Sequence, residues 1–345
     1  MAASLSEIAR IAGVSPSTVS RFVRGELNVR GETAEKIQEA MSQVGWQAPT
    51  LTNTSLRTIA LIIPNLTNPF FAKLGAEVIT AGDAAQKTVV VFVSGGRIDN
   101  EVELIEEALA NPTVDAIILV GNNSLDGDIN SASLTKPFVM LDEMVLNVDA
   151  SLENSALGYT NIRPSSISYV VADNANGAYQ ATNHLLAFGH RRVAFIGGPD
   201  GLLSAHQREL GYRKAITFHG LEVDERYIFH GPYSEAFGAS TLPRLLTAPD
   251  PVTAVFASSD VVAIGLIRAA EQCGLHIPDD LSVIGFDNIS LCDWIHPGLS
   301  SVQQPIADMA QAALRAIVDT AAGHAPSGHI FPMHVVTRAS VKRIG

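Results

Sequence analysis

The sequence predicts an all-α N-terminal unit followed by a larger α/β region built on parallel sheets. Two changes of pattern indicate this. Apolar residues spaced three and four apart fill the first 48 residues, whereas short apolar runs alternate with helical segments from residue 59 onward. A polar stretch at 49–58 separates the two regions. With 345 residues, 47% of them hydrophobic, the chain is long enough for two or three compact units.

The N-terminal unit contains three short predicted helices. Ser4–Glu7 has the pattern of a capping box, and the first helix is expected to bury Ile8 and Ile11 and to stop at Gly13. Ser15–Pro16 is typical of an N-cap followed by a proline in the first turn of the second helix. The third predicted helix buries apolar residues at helical spacing: Ile37, Ala40, Met41 and Val44.

The second predicted helix has an apolar and a polar face. Val19, Phe22 and Val23 form the apolar face, which must pack inward. The outward side chains are Ser17, Ser20, Arg21 and Arg24. Two helices joined by a tight turn, the second with such a polar face, are typical of a helix-turn-helix that reads the DNA major groove. A small solvated helical bundle is the alternative interpretation.

Eight apolar runs in the rest of the chain predict the strands of βαβ units. A polar insert, 145–168, interrupts them and is long for an ordinary connection. It falls where we expect one sheet to end and the next to begin. It could cover a ligand, contact a second protomer or be a tolerated surface insertion. The apolar runs are Ile59–Ile63, Val89–Val93, Ala116–Val120, Phe138–Leu141, Tyr169–Ala172, Val193–Ile196, Val252–Ala257 and Ser282–Gly285.

Composition excludes several classes of protein. The net charge of −12 lies entirely in residues 57–345, because residues 1–56 hold five basic and five acidic side chains. This negative net charge is compatible with DNA binding, since only the face that docks on DNA must be positive. No apolar run approaches the length of a membrane span, and the N-terminus lacks a secretory signal. The only two cysteines, Cys273 and Cys292, give no disulfide framework and fit a reducing cytoplasm.

The sequence carries no recognisable catalytic motif. It lacks a nucleophile elbow, a phosphate-binding loop and a His-Glu-x-x-His motif, and its ten histidines have no metal-ligand spacing. We therefore predict neither enzyme activity nor a cofactor nor a metal site. The alternatives to a DNA-binding regulator are a sugar-active enzyme and a sugar-binding protein without a DNA role.

The stretch from Leu5 to Arg21 resembles the headpiece of the lactose-repressor (LacI/GalR) family. The resemblance implies that Pro16 and Ser17 read bases, that Arg21 is the shared base contact, and that Thr18 and Ser20 meet phosphate or pack the turn. Two positions depart from the family pattern: Arg24 replaces the usual asparagine, and Arg30 replaces a frequent serine cap. The implied DNA-binding residues are Ser15, Pro16, Ser17, Thr18, Ser20, Arg21, Arg24 and Arg30.

The linker departs more strongly from the family. Trp46–Pro49 matches the start of the family segment that precedes a hinge helix, but the Ala-Arg-rich stretch is missing. In the family a leucine of this helix wedges into the minor groove, a role that Leu51 or Leu56 could take here. A plain linker over 49–58 is the alternative.

The chain from Ile59 to Ser340 resembles the same family and periplasmic sugar-binding proteins, through ordered motifs such as Asn68–Phe71 and Val283–Asn288. The resemblance implies two doubly wound parallel-sheet subdomains with a ligand between them. The expected organisation is a headpiece at 1–48, a linker at 49–58 and a ligand-binding and dimerisation domain at 59–345. Its subdomains would be about 59–143 with 305–325, and about 168–303 with 328–345, with the insert 145–168 between them.

The resemblance also implies a set of ligand-binding residues. Carboxylates would accept from paired hydroxyls, an arginine would donate to ligand oxygens, and aromatic rings would cover C–H surfaces. Core packing is the alternative role for the aromatic residues, and helix capping for the two aspartates. The implied ligand-binding residues are Phe70, Phe71, Asp142, Arg208, Tyr233, Ser259, Asp287 and Gln304.

The charges of this set favour a neutral ligand. Glu143 stands where pentose-binding relatives carry arginine, so Asp142, Glu143 and Asp287 would face Arg208 alone. Phosphates and carboxylates are then disfavoured, and a sugar, another neutral polyhydroxy compound or a nucleoside fits better. We predict a cytoplasmic homodimeric repressor that binds a roughly palindromic double-stranded DNA operator and responds to this effector.

Overall fold

The computed structural model describes residues 5–15, 18–19, 33, 36–37, 40–41, 56–121, 134–144, 167–247 and 250–344. The chain divides into two compact units, Met1–Thr54 and Ser55–Gly345. None of the helices in these described ranges combines the length and the apolar character that crossing a membrane requires.

The described part of the first unit is helical. Helix α1 (Leu5–Ala12) stops at Gly13, whose φ of 69° is the left-handed conformation expected of a C-terminal glycine. The expected stripe of Ile8 and Ile11 is wrong at one position: Ile11 is 37% exposed. Ile8 shares the buried face with its neighbour and with the residue one turn later, which leaves Ile11 on the flank. Among the described residues of this unit, the buried ones are Ile8, Ala9, Ala12, Val19, Ile37 and Ala40.

The second unit alternates strands and helices. Its strands are β1 (Thr58–Ile63), β2 (Thr88–Val93), β3 (Ala116–Leu119), β4 (Phe138–Leu141), β5 (Ser168–Ala172), β6 (Val193–Ile196), β7 (Ile228–Phe229), β8 (Ala254–Ala257), β9 (Ser282–Asp287), β10 (Ser300–Gln303), β11 (Gly328–Phe331) and β12 (His334–Val336). Its helices are α2 (Pro69–Ala84), α3 (Ile98–Ala110), α4 (Asn174–Ala187), α5 (Leu203–Phe218), α6 (Glu235–Leu246), α7 (Asp260–Gln272) and α8 (Ile306–Ala321).

Two six-stranded sheets share one topology. The strand orders are β2-β1-β3-β4-β5-β11 and β7-β6-β8-β9-β10-β12. The first five strands of each sheet are parallel, in the 2-1-3-4-5 order of doubly wound folds, while β12 joins its sheet antiparallel. Helices cover the faces, so β3, β4, β6, β8 and β9 are fully buried, and the first four of these strands are continuous apolar runs. The predicted fold class, with two parallel-sheet subdomains, is confirmed.

The predicted subdomain boundaries need correction. We expected residues 168–303 and 328–345 in the second subdomain, but β5 and β11 both belong to the first sheet. Strand β5 pairs in parallel with β4, and the Asp142 N–H donates to the Val170 oxygen at 2.8 Å. The insert therefore joins neighbouring strands of one sheet and is not a crossover between subdomains. The chain crosses between the two subdomains three times, after β5, β10 and β11. Residues 145–166 of the insert lie outside the described part of the chain.

The end of the predicted linker is anchored to the α/β unit. Leu56 is only 5% exposed, and its carbonyl oxygen accepts a hydrogen bond from Lys87 Nζ at 2.6 Å. A leucine held in this way is not free to enter a DNA groove. Leu51, the other candidate wedge, lies outside the described residues.

Candidate functional site

A cleft between the two subdomains receives side chains from the carboxyl ends of both sheets. Ligands of doubly wound folds bind beyond these strand ends, at the point where the strand order reverses. The cleft has an empty volume of about 440 Å³, which includes the part open to solvent. It is lined by Pro64, Asn68, Phe70, Phe71, Val120, Gly121, Asp142, Glu143, Leu202, Ser204, Arg208, Tyr233, Ser259 and Asp287.

Arg208 is the buried cation of the cleft. It lies on α5 with 3% of its surface exposed. Its Nε donates to Asn174 Oδ1 at 2.8 Å, and its Nη1 donates to the Ser258 carbonyl oxygen at 2.6 Å. Nη1 also lies 3.5 Å from Asp287 Oδ1, and the guanidinium stacks on Phe286 at 4.0 Å from the ring centre. These contacts fix the orientation of the guanidinium before any ligand binds.

Asp287, at the end of β9, accepts hydrogen bonds from two neutral side chains in addition to facing Arg208. Ser259 Oγ donates to its Oδ2 at 3.1 Å, and Gln304 Nε2 donates to its Oδ1 at 2.9 Å. Burial raises the pKa of Asp287, although Arg208 opposes this shift. Gln304 Oε1 is buried and has no hydrogen-bond partner among the described residues.

Asp142 occupies the matching position after β4 in the first sheet. Asp142 and Asp287 both adopt positive φ, 73° and 107°, which is costly for residues other than glycine. Such strain is typical of functional sites, where the surrounding fold holds it. Asp142 Oδ1 is buried without a hydrogen-bond partner in the described part of the chain. Burial raises the pKa of Asp142 to about 6, so it is largely ionised at neutral pH.

Glu143 adds a third carboxyl group, which contacts the opposite side of the cleft. The Ser204 amide donates to Glu143 Oε2 at 3.3 Å, and the Ser204 hydroxyl forms a short hydrogen bond with Oε1. Burial, together with the charge of Asp142, raises the pKa of Glu143 to about 8. Glu143 is therefore mostly protonated at neutral pH.

Aromatic rings line the remaining walls. Phe70 and Phe71 begin α2 and meet edge to face, with ring centres 5.2 Å apart. The Asn68 side chain caps this helix by accepting from the Phe70 N–H at 3.0 Å. Tyr233 packs over Gly198, where a Cβ atom would lie 2.3 Å from the ring. This glycine therefore lets the ring approach the cleft floor.

The structure brings the sequence-predicted ligand residues together. Seven of them line the cleft, and Gln304 lies behind Asp287 and donates to it. Sequence reasoning missed Asn174 and Ser204. Ser204 carries no signal of its own, whereas Asn174 belongs to the Asp173–Gly177 motif. Within the described ranges, no group of three or more His, Cys, Asp or Glu side chains could hold a metal ion.

Two further aspartates lie at the starts of helices. Asp173 caps α4, accepting from the Asn176 N–H at 3.1 Å. Asp260 does not cap α7, because its carboxylate accepts from Ser301 Oγ at 2.6 Å and from the Ile289 N–H at 2.9 Å. It joins β10 to the loop after β9 and supports the backbone next to Asp287.

The described part of the helix-turn-helix contains two of the predicted DNA-binding residues. Ser15 Oγ accepts from the Thr18 N–H at 3.1 Å and lies 2.7 Å from Thr18 Oγ1, which confirms Ser15 as the N-cap of the second helix. Both side chains therefore contribute to the turn. The other predicted DNA-binding residues lie outside the described part of the chain: Pro16, Ser17, Ser20, Arg21, Arg24 and Arg30.

Comparisons with known proteins match both regions. A family model described as "Bacterial regulatory proteins, lacI family" matches residues 4–48, and one described as "Periplasmic binding protein-like domain" matches residues 182–341. The HTH-type transcriptional repressor CytR of Escherichia coli (strain K12) is 30% identical over 353 residues, which cover 99% of this chain and 97% of CytR.

Solved structures agree with this assignment. A transcriptional regulator CelR–cellobiose complex is similar with a TM-score of 0.69 and 28% identity, over 98% of this chain and 99% of that one. A LacI family regulator from Enterococcus faecium with bound ribose has a TM-score of 0.68 and 25% identity, over 84% and 100% of the two chains. This chain therefore belongs to the lacI family of bacterial regulatory proteins and is a ligand-responsive, DNA-binding transcription regulator, not an enzyme.

Proposed function

We propose that this regulator is a cytoplasmic repressor whose operator affinity is changed by a small neutral polyhydroxy effector, a sugar or a nucleoside. One observation carries the proposal: three buried carboxyl groups, Asp142, Glu143 and Asp287, surround Arg208, the only cation that lines the cleft in the described part of the chain. A phosphate or carboxylate ligand would add negative charge to this set, whereas a ligand hydroxyl group can donate to Asp142 Oδ1. The sugars in the CelR and Enterococcus complexes support this effector class.

The working form is a homodimer on a roughly palindromic operator. The edge strand β2 exposes Val90 and Val93 to 38% and 47%, and the helices before and after it in the chain expose Ile79 and Ile98 to 38% and 49%. A long apolar edge strand is normally covered, because it otherwise promotes aggregation. A second copy of the chain is the proposed cover. A dimer with two-fold symmetry would place one headpiece on each half-site.

The effector would act by closing the cleft. Its contacts reach both subdomains, so it stabilises the closed arrangement and moves one subdomain relative to the dimer interface. This movement would change the spacing of the two headpieces. The DNA-binding residues predicted from the sequence are the proposed contacts to the operator. The predicted ligand-binding residues are the proposed contacts to the effector.

A thermal-shift screen against sugars, polyols and nucleosides tests the function. A ligand at 100 times its Kd raises the unfolding free energy by about 2.7 kcal/mol and therefore raises Tm. Compounds that raise Tm are then added to a complex with operator DNA selected from random sequences. A neutral polyhydroxy hit that changes operator affinity supports the proposal. Hits confined to phosphorylated or carboxylated compounds contradict the effector class.

Asp287→Asn is expected to remove the effector response and to leave operator affinity without effector unchanged. The amide keeps the shape of the side chain but removes the charge that faces Arg208 and weakens acceptance from ligand hydroxyls. The measurement is the Tm shift given by the strongest hit from the screen. Asp293→Asn is the matched control, because the Asp293 side chain is 66% exposed and contacts Arg338. An unchanged shift in Asp287→Asn would exclude Asp287 from the site.

Arg21→Ala is expected to lower specific operator affinity by roughly 1–3 kcal/mol, the value of a good arginine–guanine pair. The reason is the position of Arg21 on the polar face of the second helix of the helix-turn-helix. Binding to operator and to random DNA is compared at one salt concentration. A selective loss on operator identifies a base contact, and equal losses on both DNAs would identify Arg21 as a phosphate contact instead.

A further inference from the structure

The contact between Glu143 and Ser204 joins the two subdomains directly across the cleft. Glu143 follows β4 of the first sheet, and Ser204 is the second residue of α5 in the second subdomain. Both hydrogen bonds of this pair involve the Glu143 carboxyl group, one from the Ser204 amide and one with its hydroxyl. The two residues are 5% and 4% exposed. Opening the cleft must break this pair and expose the carboxyl group to water.

The surroundings of Glu143 decide which protonation state the closed cleft prefers. Asp142, on the same loop, adds a like charge. From α5, Arg208 and the hydrogen bonds of Ser204 favour the ionised form. Tyr233 faces the group from the loop after β7 and is uncharged at neutral pH, since burial raises its pKa to about 12. Burial outweighs the favourable contacts, and a protonated carboxyl can still accept from the Ser204 amide while sharing its proton with the hydroxyl.

We propose that Glu143 and Ser204 form a proton-sensitive latch, which holds the cleft closed while the carboxyl group carries a proton and releases it when the proton is lost. Closure of this regulator then responds to pH in addition to its effector. Only the consequence for operator binding rests on the proposed function. The latch itself is a property of the α/β unit.

The direction of the pH effect follows from linkage. In the open cleft Glu143 is hydrated and titrates near the ordinary glutamate value, about 4.3. In the closed cleft its pKa is raised to about 8. Closing therefore takes up a proton between these values, so the closed form is favoured at low pH and loses this advantage as pH rises through 8. The closed-to-open ratio is expected to fall about tenfold between pH 7 and pH 9.

Distances between spin labels on the two subdomains test the latch without effector or DNA. Cys273 is exposed at the end of α7, Cys292 is buried, and Lys73→Cys adds an exposed site on α2. Labelled chains are diluted with unlabelled ones, so that distances within one protomer dominate the pulsed EPR signal. Glu143→Gln places a permanently uncharged amide at this position. The cleft of this variant should therefore stay closed from about pH 6.5 to pH 9, the range of the expected transition.

Two further variants complete the design. Ser204→Ala removes the hydroxyl and should shift the wild-type distance distribution toward the open form at pH 7. Glu106→Gln on the exposed face of α3 is the control and should keep the wild-type pH response. A wild-type distance distribution that is the same at pH 7 and pH 9 overturns the latch, as does a wild-type response in Glu143→Gln. A failed effector screen with an intact pH response would instead refute the proposed function and leave the latch standing.

Discussion

Arg208→Met is expected to lower the free energy of unfolding of the α/β unit by about 3–5 kcal/mol, the cost of removing one partner of a buried charge pair. Methionine fills a similar volume but cannot donate to Asn174 or to the Ser258 carbonyl oxygen. It also leaves Asp287 without the cation that lies 3.5 Å away. The variant is also expected to lose effector binding, because no other cation lines the cleft in the described part of the chain.

Urea unfolding at pH 7 measures the change, with Arg213→Met as the matched control. Arg213 lies on the same helix and pairs with Glu209 at 2.6 Å and with Glu225 at 2.5 Å, but its side chain is 31% exposed. Partly exposed pairs of this kind contribute about 0.2–1 kcal/mol each. If both variants lose the same stability, Arg208 is not the buried anchor of the cleft. If Arg208→Met keeps its effector response, the arginine is structural only.

The alternation of apolar runs predicted the central strands because these strands are buried on both faces. The polar strand β10 was missed for the opposite reason. Ser300 and Ser301 are fully buried, but their hydroxyls are satisfied by the Arg338 N–H and by Asp260. Hydrogen bonds from distant parts of the chain make this strand possible, and a local pattern cannot contain them. The same limit explains the misplaced insert, since only strand pairing assigns β5 to the first sheet.

The candidate site was predictable where a residue type and a strand end coincide. Asp142 and Asp287 each follow an apolar run, so their positions could be read from the sequence. The helix that carries Ser204 and Arg208 gives no such signal, because it buries polar side chains toward the cleft as well as apolar ones toward the sheet. Cross-cleft contacts depend on how two subdomains meet, so the partnership of Glu143 with Ser204 required the structure.

Gly265→Ala is expected to destabilise the second subdomain and to disturb the cleft. Helices α6 and α7 approach each other through two glycines. A Cβ atom at Gly265 would lie 2.0 Å from the Glu235 carbonyl oxygen, and one at Gly238 would lie 2.0 Å from the Val262 carbonyl oxygen. Both obstacles are backbone atoms, which cannot move aside as a flexible side chain can. The alanine must therefore push the start of α6, and with it the adjoining Tyr233, away from its present position.

Two opposing effects determine the size of the change. Alanine gains about 1 kcal/mol over glycine in a helix interior, whereas overpacking that shifts backbone costs about 1–3 kcal/mol. We expect a net loss of up to about 2 kcal/mol in urea unfolding, together with weaker binding of the effector. Gly75→Ala in α2 is the control, because its Cβ would meet only Ile63 and Leu61 side chains at 3.9 Å. There the helix gain is unopposed, so the control should be stabilised by about 0.5–1 kcal/mol. A Gly265→Ala protein as stable as wild type would mean that the helices can separate freely, and Tyr233 would then not be held in the cleft by this packing.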